Sequence, residues 1–129
     1  MKLSTNELLG LKVFVYFNLH KKVFSVKAME GPHKGLVVAH VDCIALQDVI
    51  PKVSQKGRER VIKEQRKNVH AGLVGKAVLV DIPMFDSEEY NQVTYNPYKY
   101  KTFVYKANEK EYHGGKWAHI SKQGITVVN

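Results

Sequence analysis

Most of this chain reads as short runs rich in Val, Ile and aromatics, and one stretch, residues 54–69, breaks that rhythm with helical spacing. The stretch follows Pro51, opens on Ser54 (a good N-cap) and meets a stop at Ala71-Gly72. Strand-like runs occupy residues 11–17, 22–28, 36–46, 76–81, 102–105, 117–120 and 125–128. Residues 18–21 suit a hairpin loop and 31–35 (GPHKG) a turn, so the first runs should form an antiparallel meander. Ser4 and Glu7 have capping-box spacing, which predicts a helical turn ending by Gly10. Residues 82–97 read as an acidic loop bearing Asp86, Glu88 and Glu89. Strands, then a helix, then strands give an α+β fold, a mostly antiparallel sheet with one main basic amphipathic helix at about 54–69. At 129 residues the expectation is a single domain over 1–129.

Charge is the second constraint. Twenty Lys and Arg against twelve Asp and Glu leave +8, a balance that favours polyanions as partners. Residues 52–67 hold seven cations against Glu59 and Glu64, a surplus of five. Lys56, Arg60, Lys63 and Lys67 follow i, i+4, i+7, i+11 spacing, which gathers them within roughly 60° of a helix surface. Val61, Ile62 and Val69 would face the sheet. Such a stripe is either a solvated outer face or a ridge that tracks phosphates. Arg58 points toward the buried side, where it either snorkels past the helix or anchors a carboxylate or phosphate. Gly57, in the first turn, weakens the helix.

Residues 95–106 (YNPYKYKTFVYK) interleave rings with cations, a composition used by surfaces that bind single-stranded nucleic acid. If residues 98–105 are extended, Tyr98 and Tyr100 share one face while Lys99 and Lys101 share the other. Only a turn at Asn96-Pro97, or an edge position, would present both together.

Signals for catalysis are sparse. Six histidines are scattered, none at the spacing of a helical zinc pair, and no metal or cofactor is expected. His70, beside Arg66 and Lys67, and His20, beside Lys21 and Lys22, are the candidates for proton transfer in a metal-independent nuclease or phosphodiesterase. His70 equally suits a helix C-terminus, and His20 a solvated turn. Cys43, the lone cysteine, lies in an apolar run and reads as a buried, inert thiol. No Walker A, G-x-S-x-G or G-x-G-x-x-G motif occurs. The polar start MKLSTNELLG does not suit a secretion signal, and no run approaches the roughly 20 apolar residues of a membrane span. A cytoplasmic protein is expected.

The segments KVFVYFNLHKKVFSVKA, GPHKGLVVAH, GRERVIKEQRKNVHAG and YNPYKYKTFV resemble small proteins of tailed bacteriophages and prophages. The resemblance implies a bacterial host setting and carries no activity to transfer. Together these readings predict a small basic nucleic-acid-binding protein that contacts phosphates through the Lys/Arg helix stripe. Arg58, Arg66, Tyr98, Lys99, Tyr100 and Lys101 would add contacts. A binder or inhibitor of an acidic host protein (transcription, replication or defence machinery) and the metal-independent nuclease remain as alternatives.

Overall fold

The computed structural model describes residues 2–84 and 91–128. Asp86, Glu88 and Glu89 of the expected acidic loop lie outside them. The chain forms α1 (Thr5–Leu8), β1 (Lys12–Asn18), β2 (Val23–Ala28), β3 (Val37–Val41), β4 (Cys43–Val53), α2 (Gln55–Glu64), β5 (Ala71–Val80), β6 (Gln92–Thr94), β7 (Val104–Tyr105), β8 (Gly115–Ser121) and β9 (Gly124–Val128). The nine strands make one sheet, ordered β3-β2-β1-β5-β4-β8-β9-β6-β7, with every neighbouring pair antiparallel. The expected α+β class with one main helix is therefore wrong. Among the described residues the fold is a β-sheet with two short helices attached.

Alternation along the strands selects the core. Val13 and Val15 of β1 face inward with Val26 and Ala28 of β2, their cross-strand partners. Leu73 of β5 continues that face opposite Val15. β4 and β5 are the longest strands and join the two halves of the sheet. The β4–β5 pairing shifts register twice, at Val78 of β5, left unpaired between Leu79 (opposite Ala45) and Ala77 (opposite Leu46), and in β4 between Gln47 and Ile50, where Asp48 takes φ 54°. Bulges of this kind increase twist and bend a strand. The sheet curls accordingly, and Val15 and Leu73 of one half line the same groove as Val93, Phe103 and Ile120 of the other.

Ser4 caps α1 through the expected reciprocal box, with Glu7 N donating to Ser4 Oγ at 3.3 Å and Ser4 N to Glu7 Oε1 at 3.1 Å. α1 then buries Leu8 against the core.

α2 is shorter than its apolar and cationic periodicity suggests. Val53 pairs with Ala71 and Ser54 N donates to His70 O at 2.8 Å, so residues 54–70 leave the β4–β5 hairpin and return to their starting point. A helix over 54–69 would be about 24 Å long and leave no chain to come back. The observed ten residues rise about 15 Å, a distance that residues 65–70 can retrace when extended. Gln65 makes the reversal in the left-handed conformation, φ 53°.

Candidate nucleic-acid interface

Ser54 Oγ accepts from Gly57 N at 3.1 Å and starts α2. Val61 is its one buried side chain. Ile62 and Val69, expected against the sheet, are about two-fifths exposed. Lys56, Arg60 and Lys63 keep their common face and are exposed, but Lys67 falls beyond the helix end and leaves the stripe. Gly57 packs directly on His70, so closely that a Cβ there would lie 2.5 Å from His70 Cβ. The glycine therefore marks a close contact between helix and strand, not a weak helix start.

The Tyr/Lys segment is not a continuous strand. Tyr100 N and Lys99 N both donate to Asn96 O, and Tyr98 N donates to Asn96 Oδ1, forming a turn over residues 96–100. Tyr98 is 56% exposed at its tip, beside exposed Lys99. The first turn of α2 is tied to this turn. Arg58 Nε donates to Tyr100 O at 2.8 Å and Gln55 Nε2 to Lys101 O at 2.9 Å. Arg58 thus spends its Nε on the backbone of the neighbouring turn. Tyr100 is also occupied, its hydroxyl donating to Glu109, which holds the phenol above its ordinary pKa. A groove of about 570 Å³ runs between the two segments, with Val61 and Lys67 on one wall and Asn96 and Tyr98 on the other.

The structure thus brings Lys56, Arg60, Lys63, Arg66 and Lys67 to the same region as Tyr98, Lys99 and Lys101, across 30 residues or more of sequence. All of these side chains are exposed. Among the described residues the single ion pair is Lys122–Asp42, at 3.6 Å, so none of these cations has an acidic partner among them.

His70 anchors the floor of the groove. Its Nδ1 faces Asn68 O at 2.8 Å and must donate, so in the neutral ring Nε2 accepts from Tyr95 Oη at 2.7 Å. The rings pack edge-on at 5.4 Å, and burial pushes the Tyr95 phenol up. With both nitrogens engaged, His70 acts here as a joint between β5 and the segment after β6. His20 is an exposed hairpin residue whose backbone N donates to Asn18 Oδ1. Cys43 is buried, and desolvation raises its thiol. Among the described residues no three His, Cys, Asp or Glu side chains gather as a metal site, and no helix is long and apolar enough to cross a membrane.

Fold and site together define a small, basic, curled-sheet protein with a group of exposed cations on one short helix and its neighbouring turn. The family model for the Mycobacterium phage L5 gene 82 protein matches residues 7–128, and the chain belongs to that family. The Gene 82 protein of Mycobacterium phage L5 is 34% identical over 124 residues, spanning 92% of this chain and 96% of that protein. The phage resemblance read from the sequence is borne out. No solved structure matches.

Proposed function

We propose that this phage protein binds nucleic acid inside the bacterial host cytoplasm, gripping phosphates with the outer face of α2 and the neighbouring turn. One observation carries the reading: exposed cations from two distant segments stand together on elements hydrogen-bonded to each other, with no acid among the described residues paired to them. Like charges so arranged repel, and a polyanion lying along them relieves that repulsion while releasing its own counterions. Lys56, Arg60 and Lys63 supply the ridge, and Arg66, Lys67, Lys99 and Lys101 flank it. Tyr98 offers a ring face at the same edge. Contacts of this type set affinity and leave base sequence unread.

Fluorescence anisotropy with labelled DNA and RNA over a series of salt concentrations tests the proposal. Affinity should fall linearly on a log–log plot. Reversing Lys56, Arg60 and Lys63 to Glu should flatten the slope by about 2–3. Absence of binding at low salt, or a slope indifferent to the reversal, overturns it. Capture of a host protein from nuclease-treated lysate through these same residues, without affinity for nucleic acid, would assign the surface to an acidic protein instead.

A further inference from the structure

A second cationic surface lies on the other side of the sheet from the core. Residues 12, 14 and 16 of β1 point away from buried Val13 and Val15. The register sets Lys27 beside Phe14 and Lys76 beside Lys12, while Lys52 lies across β5 at Gly72. The Phe14 and Tyr16 rings sit 5.7 Å apart, tilted 33° to each other. The Phe14 ring packs on Gly72, where a Cβ would come within 2.8 Å of the ring and 2.3 Å of the Val15 carbonyl oxygen. The face is partly open: Lys12, Lys52 and Lys76 are exposed, Phe14, Tyr16 and Lys27 are half-buried, and Ile50, at 60% exposure, lies along the same row as Phe14 across buried Val74. A groove of about 420 Å³ leads from the two rings past Ser54 to Val69 and His70, so the face is continuous with the base of α2.

The charges here are set against the fold. Lys12 and Lys76 are direct cross-strand partners, an arrangement that destabilises a sheet. The nearby acids do not answer them. Glu30 spends its Oε1 on the Lys12 backbone N–H at 3.1 Å, Asp48 sits in the β4 bulge, and neither pairs with a lysine among the described residues.

We infer that this face is a stacking platform for single-stranded nucleic acid, with unpaired bases lying on Phe14 and Tyr16 and phosphates held by Lys12, Lys27, Lys52 and Lys76. A duplex hides its base faces, whereas an unpaired strand offers them to rings of any sequence context. Four strands span about 14 Å, room for a few nucleotides beside the rings. The inference shares its ligand class with the proposed function and rests on different residues.

The test uses the full chain, a fluorescein-labelled oligo-dT and a duplex of equal length, read by anisotropy together with thermal melts. Lys12→Gln with Lys76→Gln should raise the melting temperature by relieving the cross-strand repulsion, yet weaken oligo-dT binding and lower its salt slope by about 1–2. Phe14→Leu and, separately, Tyr16→Leu should each weaken oligo-dT by roughly 5- to 100-fold, with duplex binding little changed. The inference is overturned if oligo-dT ignores the lysine pair and whichever ring variants fold, or if duplex binding falls as far as oligo-dT binding. Silence of these variants alongside a strong effect of reversing Lys56, Arg60 and Lys63 ends the platform and leaves the α2 ridge standing; the opposite pattern ends the ridge alone.

Discussion

Replacing Gly57 by alanine is expected to destabilise the protein by up to about 2 kcal/mol, although the same change in an open helix gains nearly 1 kcal/mol. The added Cβ would meet His70 Cβ at 2.5 Å, Ser54 Oγ at 3.3 Å and His70 Cγ at 3.4 Å. Ordinary carbon contacts begin near 3.5 Å, so about 1 Å must be found. His70 has little freedom to give it. Its carbonyl holds Ser54 N, Nδ1 holds Asn68 O and Nε2 faces Tyr95 Oη. The helix is fixed in turn by buried Val61 and by Arg58 on the 96–100 turn. Overpacking of this kind costs roughly 1–3 kcal/mol, which exceeds the gain in helix propensity. Urea denaturation gives the sign, read as a lower midpoint at unchanged slope. A double-mutant cycle gives the cause. His70→Ala retains the Cβ, so the Gly57→Ala penalty should persist in that background, whereas His70→Gly removes the obstacle and should abolish it. A midpoint that rises in Gly57→Ala, or a penalty equal in the His70→Gly background, refutes the reasoning.

Tyr112 is wholly buried, its hydroxyl has no partner among the described residues, and burial pushes its phenol up to about 12. Because the folded value is raised, stability is intact below the ordinary phenol value near 10 and falls as pH rises from there toward 12, by on the order of 2 kcal/mol; Tyr112→Phe should remove that component from the alkaline urea midpoint. At neutral pH the same substitution should be neutral or stabilise by about 1 kcal/mol, since it deletes an unsatisfied polar group. Arg58→Met should cost about 1–2 kcal/mol and speed amide exchange at Lys99 and Tyr100, because it removes the bond that pins their turn to α2. Unchanged exchange there would show that the turn stands without Arg58.

The N-terminal meander was legible because its signals are local. Alternation in residues 22–28, the loop at 18–21 and the Ser4/Glu7 box each act within a few residues, and each forms as expected. The run 36–46 hides a break at Asp42, beyond which β4 continues through Pro51 to Val53. There the apolar pattern lapses, and only pairing with β5 keeps the chain extended. That long-range pairing carries no local signal, and it decides the length of α2. Once Val53 is joined to Ala71, hairpin closure limits the helix to ten residues, whatever the periodicity of residues 65–69 prefers. The meeting of α2 with the 96–100 turn was equally invisible, since it depends on two long-range bonds to backbone carbonyls. The outer-face lysines are invisible for the same reason. Lys12, Lys27 and Lys76 are scattered in sequence, Lys52 belongs there to the 52–67 cluster, and the four become neighbours only through register.

The core does not require these charges. Val13, Val26, Ile44 and Leu46 are fully buried with other apolar side chains, and the cations lie outside that cluster. Nor is solubility a sufficient cause, since it is served by mixing signs across the surface rather than by setting Lys12 against Lys76. Both surfaces contain exposed self-repulsion, and the chain's one described ion pair, itself exposed, stabilises little. A solvated face and a binding face therefore differ in a measurable way. Neutralising cations on a merely solvated face raises stability and changes nothing else. On a binding face the same substitutions raise stability and lower affinity together, so a paired gain and loss at Lys12/Lys76 or along Lys56, Arg60 and Lys63 identifies a surface shaped by a polyanion.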